Sequence, residues 1–164
     1  MLALRPCVDK GALPIVVTLL NSMNTNDPIL LAEDDENDAF FMEFAFKKSG
    51  LAHPLKVLRD GQEAIRYLDG QGIYAEREKY RSPCLVLIDL NLPILTGFDV
   101  LEWLQRQPRA GKLTPVVVLT ASSNPVDIQK AAALGAVDYR VKPTNAANLV
   151  IILRELQARW LASD

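Results

Sequence analysis

The feature that most constrains this chain is an alternation. From Pro28 onward, five short apolar runs (Ile29 to Ala32, Leu55 to Leu58, Leu85 to Ile88, Val116 to Leu119 and Val137 to Val141) are separated by longer stretches with helical periodicity. Runs of four or five such residues suit strands. The stretches near Asn37 to Ser49, Gly61 to Leu68, Phe98 to Arg106, Val126 to Leu134 and Asn145 to Leu161 are long enough for helices. Strand and helix in strict alternation predict crossover connections, and so an α/β domain with a parallel sheet. Gly50 and Gly135 stand where helices would end, and Asn124 followed by Pro125 reads as a cap and first helical position. In the last helix Leu149, Ile152, Leu153, Leu156 and Trp160 recur at helical spacing and make one apolar stripe for the core.

The strands differ in a way that orders the sheet. "ILLA", "CLVLI" and "VVVL" are apolar throughout, as strands covered on both faces must be, whereas "LKVLR" and "VDYRV" interleave polar residues. The second and fifth strands therefore belong at the edges, which predicts the order 2-1-3-4-5. This is a flavodoxin-like, doubly wound, five-stranded parallel sheet in a single domain.

A length of 164 residues suits one domain with a full core, here expected over residues 28 to 164. A net charge of -2 gives no field that would draw nucleic acid or an anionic membrane. With Cys7 and Cys84 as its only cysteines, the chain lacks a disulfide framework and fits a reducing, cytoplasmic setting. Ala12 to Leu20, "ALPIVVTLL", follows Arg5 and Lys10 and imitates a secretory leader. It is too short to span a membrane, and no small-residue cleavage site follows it. Residues 1 to 27 are expected to form a loosely ordered N-terminal arm, with Met23 marking an alternative start.

In open sheets of this order, ligands bind beyond the carboxyl ends of the strands where the order reverses, here between the first and third. Both of those strands end in acid: Glu33, Asp34 and Asp35 follow the first, and Asp89 follows the third. Carboxylates converging on one crevice repel one another unless a cation intervenes, and a hard one such as Mg2+ is the simplest remedy. The fourth strand ends at Thr120 and the fifth at Lys142. A carboxylate nucleophile, a divalent metal, a hydroxyl and an ammonium are the parts that hold a phosphoryl group while it moves onto a carboxylate. One aspartate at a strand end is commonly only a helix cap. Five such groups on four strand ends are a stronger signal.

The stretches "ILLAEDDEND", "CLVLIDLNLPILTGFDVLEWL", "VVVLTAS" and "GAVDYRVKP", in this order and spacing, resemble the receiver domain of two-component response regulators over Pro28 to Asp164. The resemblance implies that Asp89 is the phosphoacceptor. Glu33 and Asp34 match the acidic pair that binds Mg2+, with Asp34 the direct ligand, and Asp89 and the Asn91 main-chain carbonyl complete the set. Asp35 is left to cap the following helix. Thr120 matches the switch hydroxyl, Lys142 the phosphate-contacting lysine and Tyr139 the aromatic that turns inward on activation. A cis bond is implied before Pro143. The implied partners are a sensor histidine kinase and an unidentified downstream protein, with self-association through the fourth helix, fifth strand and fifth helix around Asp138 and Arg140. "DLNLP" and the long segment from Gly70 to Pro83 are similar to single-domain receivers that pair with phytochrome-type histidine kinases. No output domain is read after the last helix, so the signal is expected to leave by protein contact. Such a chain is not a turnover enzyme, although weak self-phosphorylation and self-dephosphorylation are expected.

Other readings are weaker. Gly70-Gln71-Gly72-Ile73-Tyr74-Ala75 matches a loose dinucleotide pattern but follows a helix, so it is expected as an extended loop before the third strand. A phosphohydrolase of the aspartate-nucleophile class would want a second Asp where this chain has Asn91. A constitutive interaction module would not need Glu33, Asp34, Asp89, Thr120 and Lys142 together. His53, ahead of Pro54, reads as a surface residue without a catalytic partner.

Overall fold

Five parallel strands form one sheet in the order β2-β1-β3-β4-β5 in a computed structural model that describes residues 24–108 and 114–161. The strands are β1 (Ile29–Ala32), β2 (Leu55–Leu58), β3 (Leu85–Ile88), β4 (Val116–Thr120) and β5 (Asp138–Val141). The crossover helices are α1 (Glu36–Ser49), α2 (Gly61–Asp69), α3 (Gly97–Arg106) and α4 (Pro125–Ala133), and α5 (Ala146–Leu156) closes the order. The expected strand order is therefore the observed one. In register, β1 places Ile29 beside both Leu55 and Leu85, so its far end, Ala32, lies level with Leu58 and Ile88.

Successive strand residues point to opposite faces, and the core divides accordingly. Leu30, Ala32, Val86, Ile88, Val116 and Val118 pack with Tyr67 of α2, Val100 and Leu101 of α3 and Ala131 of α4. Ile29, Leu31, Leu85, Leu87, Val117 and Leu119 pack with Met42 and Phe46 of α1 and Leu149, Leu153 and Leu156 of α5. Because β1, β3 and β4 are buried on both sides, they are apolar except for Thr120 at the end of β4, whose hydroxyl needs a partner.

The helix ends follow local chemistry. Asp35 caps α1 by accepting from Asp38 N, as its place in the sequence implied, and Gly50 leaves the helix at φ 82°, a left-handed conformation glycine adopts freely. Thr96 and Asp99 form a reciprocal capping box on α3, and Asn124 caps α4 with Pro125 as its first helical residue.

Several expectations need correction. His53 is not a surface residue: it is buried, and its Nδ1 lies 2.9 Å from the Asp27 carbonyl and 3.4 Å from Cys84 Sγ. The stretch from Gly70 to Pro83 is a loop before β3, as expected, but it is built around local structure rather than fully extended. Gly72–Ala75 forms a short 3-10 turn, and the rings of Tyr67, Tyr74 and Tyr80 pack on one another with centroids 4.8 to 6.2 Å apart. Arg77 ties that segment down by donating to the Tyr67 and Leu68 carbonyls. No peptide bond among the described residues is cis, so the bond before Pro143 is trans. The last helix keeps α geometry only to Leu156 and continues as a π turn over Gln157–Leu161. Of the expected arm, residues 1–23 lie outside the described residues, while Asp27 is pinned by Arg81 at 2.8 Å as well as by His53. No helix among the described residues is long and apolar enough to cross a membrane.

Candidate functional site

Strands β1, β3 and β5 deliver Glu33, Asp89 and Lys142 to the same edge of the sheet, where β4 ends at Thr120, because the ladder continues one residue past each of the three. Glu33 N donates to the Leu58 carbonyl at 2.9 Å, Asp89 N to the Ala32 carbonyl at 3.1 Å and Lys142 N to the Thr120 carbonyl at 2.8 Å. These bonds fix the backbone beneath each side chain.

Asp89 is the point of convergence. It is 6% exposed, and Thr120, fully buried, donates its hydroxyl to Asp89 Oδ1 at 2.8 Å. The Asn91 amide donates to the same oxygen at 3.1 Å. Lys142 Nζ donates to Asp89 Oδ2 at 2.5 Å, to Glu33 Oε2 at 2.5 Å and to Asp38 Oδ2 at 2.8 Å. Burial alone would lower the Lys142 pKa, but the bonds to Asp38, Asp89 and Glu33 outweigh it and hold the ammonium well above its ordinary value. For Glu33 burial is the larger effect and raises the carboxyl, with Lys142 opposing it. Asp34 follows at the rim and is exposed.

The structure brings Glu33, Asp89, Thr120 and Lys142 into direct contact and leaves Asp34 solvent-facing. Tyr139 lies further along. Its half-buried ring packs against the core and its hydroxyl donates to the Ser122 carbonyl at 2.9 Å. Asn91 enters through its amide N–H; its carbonyl is a ligand only by resemblance.

Two contributors were not read from the sequence. Asp38 passes for an ordinary acid of a helix first turn, yet it sits one turn past the acidic pair and meets Lys142. Gly97 passes for a helix start, yet a Cβ there would run into the Asp89 carbonyl oxygen and lie 2.8 Å from Leu90 Cα. The β3–α3 loop closes this tightly because Gly97 N donates to the Leu90 carbonyl at 3.0 Å.

The donor set is all carboxylate and carbonyl oxygen, which suits a hard divalent cation rather than a soft one. Among the described residues no three His, Cys, Asp or Glu side chains are arranged to hold a metal ion, and the point where Glu33, Asp38 and Asp89 converge is taken by the Lys142 ammonium. A cation would be held by Asp34, Glu33 and Asp89 in competition with that ammonium.

A doubly wound parallel sheet with a buried aspartate, a lysine and a hydroxyl at its switch point defines a class of α/β proteins built to accept a phosphoryl group on carboxylate. The chain belongs to the response regulator receiver domain family, whose model matches residues 29–154. Response regulator Rcp1 of Synechocystis sp. is 36% identical over 142 residues, covering 85% of this chain and 94% of that protein. The crystal structure of the phosphorylated cyanobacterial phytochrome response regulator RcpA superposes with a TM-score of 0.75 at 34% identity, covering 85% of this chain and 96% of that one. The Mn(2+)-bound form of Rcp1 gives a TM-score of 0.71 at 35% identity, over 84% and 96% of the two chains. Members of this family act in two-component signalling, and phosphorylation and divalent-metal binding are features of it.

Proposed function

We propose that this chain is a stand-alone response regulator that accepts a phosphoryl group on Asp89 from a sensor histidine kinase in the cytoplasm. The observation that carries this reading is the convergence on Asp89 of the Lys142 ammonium, the Thr120 hydroxyl and the Asn91 amide. Support for the stand-alone form comes from the 94% and 96% coverage of Rcp1 and RcpA. The phytochrome-type kinase is inferred from the same relatives.

In the proposed step an Asp89 oxygen attacks the phosphorus of a phosphohistidine. The O–P bond forms as the N–P bond breaks, and the imidazole leaves with its electron pair. Lys142 and Thr120 are positioned to donate to the phosphoryl oxygens as charge gathers on them. Mg2+, held by Glu33, Asp34, Asp89 and the Asn91 carbonyl, would supply further neutralisation of that charge. Thr120 and Tyr139 then couple the phosphorylated site to a surface made by α4, β5 and α5, which meets a downstream protein or a second copy of the chain.

The test is incubation with Mg2+ and acetyl phosphate, followed by mass measurement. An alkali-labile phosphoryl increment on the wild-type chain and none on Asp89→Asn is expected. No increment, or an equal one on both chains, overturns the reading, and continued phosphate release with turnover would make the chain a hydrolase.

A further inference from the structure

An ammonium has three N–H donors and no acceptor, and in Lys142 all three are spent on carboxylates: Glu33, Asp38 and Asp89. A phosphoryl oxygen can therefore be bound by Lys142 only if one carboxylate lets go. The three are not equally free to do so. The side chains of Glu33 and Asp89 are 3% and 8% exposed, and stripping a buried carboxylate of its cation is expensive. Asp38 is 48% exposed, so its oxygen can return to water. It also lies in the first turn of α1, where the helix N-terminus favours negative charge whether or not Lys142 is present.

The backbone holds Asp38 in place for this role. Asp38 N is bonded to the Asp35 carboxylate at 2.9 Å, and Asp35 N in turn to Glu33 Oε1 at 3.1 Å. The first turn of α1 is thus tied to the strand end that carries Glu33, and the Asp38 carboxylate is presented to the crevice at a set position.

We propose that Asp38 is a displaceable partner of Lys142: it holds the ammonium across the crevice, competes with the incoming phosphoryl donor for one N–H, and thereby sets the affinity of the site for anionic donors. This inference rests on the phosphoacceptor reading. Asp38 is a positioning residue, since it acts on the donor through Lys142.

The experiment follows initial rates of alkali-labile phosphoryl incorporation against acetyl phosphate concentration, at saturating Mg2+, for wild type, Asp38→Asn and Glu36→Gln. A neutral amide oxygen is a weaker acceptor than a carboxylate, so Asp38→Asn is expected to lower the half-saturating concentration by about threefold, the scale of a half-exposed ion pair. The saturated rate should change by a smaller factor. Glu36 shares the same exposed helix turn and charge but is not among the partners of Lys142, so Glu36→Gln measures the field effect alone. A half-saturating concentration that is unchanged or higher in Asp38→Asn overturns the inference, as does an equal fall in Glu36→Gln. A wild-type chain that takes up no phosphoryl group overturns the phosphoacceptor reading and this inference with it; a phosphorylated wild type with an unmoved Asp38→Asn overturns this inference alone. Circular dichroism melting of each variant separates loss of fold from loss of affinity, and Asp38→Ser serves if Asp38→Asn does not fold.

Discussion

The Thr120 hydroxyl donates to Asp89 Oδ1 at 2.8 Å, and both side chains are withdrawn from solvent. On the far side of β4, the Tyr139 hydroxyl donates to the Ser122 carbonyl at 2.9 Å. Thr120→Val keeps the volume but removes a donor from a charged acceptor. Asp89 Oδ1 retains only the Asn91 amide, so a loss of about 1.5 kcal/mol in urea unfolding is expected. A variant as stable as wild type would mean that the hydroxyl contributes nothing to holding Asp89.

Gly97 supports Asp89 from behind. A side chain there meets backbone, namely the Asp89 carbonyl and Leu90 Cα, and backbone cannot swing aside as a flexible side chain can. Gly97→Ala should cost about 1–3 kcal/mol by overpacking and should also slow phosphorylation, because the loop that moves is the one carrying the acceptor. Chemical denaturation and acetyl phosphate labelling of one preparation check both effects.

Much of this was readable from sequence for one reason: in a doubly wound sheet the strand ends are the site, so finding the strands also found Glu33, Asp89, Thr120 and Lys142. Edge and centre could be told apart because β2 and β5 carry Lys56, Asp138 and Arg140 among their apolar residues, while β1, β3 and β4 carry no charge. What stayed hidden depends on contacts between elements without a shared period. Asp38 looks like any acid favoured at a helix N-terminus. Tyr67, Tyr74 and Tyr80 belong to a helix, a 3-10 turn and a loop, so no periodicity announces their cluster. His53 lies beside Pro54 in a short connection, and only the arrival of Asp27 and Cys84 from distant parts of the chain explains its burial.

Ile94 is the one described non-glycine residue with a left-handed backbone, at φ 67°, and its side chain is 72% exposed. A β-branched residue is strained there and gains little packing in return. Ile94→Gly should raise stability by about 0.5–1 kcal/mol, the relieved strain less the entropy glycine adds to the unfolded chain. A melting temperature that falls instead would show that the exposed side chain carries a stabilising contact.

The proposed sharing of Glu33 and Asp89 between Mg2+ and the Lys142 ammonium makes a separate prediction. Mg2+ should raise the melting temperature of the wild-type chain, and EDTA should reverse the rise. Asp34→Asn should abolish the rise. Lys142→Gln removes the ammonium from Glu33 and Asp89 and should shift the Mg2+ titration midpoint to a lower concentration, by about tenfold for a buried charge partner. An unchanged midpoint in Lys142→Gln would show that the lysine and the metal do not share those carboxylates.

Cys84 gives the fold an alkaline limit. Burial pushes its thiol from an ordinary 9.0 up to about 11, with the Asp27 charge adding to the shift. Because the folded state holds the thiol neutral while the unfolded chain ionises it more readily, this contribution is intact below pH 9 and is lost as pH rises through about 11. The loss should be on the order of 2 kcal/mol, seen as a falling urea midpoint. Cys84→Ala starts less stable at neutral pH, because the small methyl leaves a void at the start of β3 and removes the thiol contacts to the Asp27 and Pro28 carbonyls. Its further decline between pH 9 and 11 should nevertheless be shallower than that of the wild type. Parallel declines in the two proteins would assign the alkaline loss to other groups, of which the buried phenol of Tyr74, raised by burial and by its bond to Glu63, is the first to test.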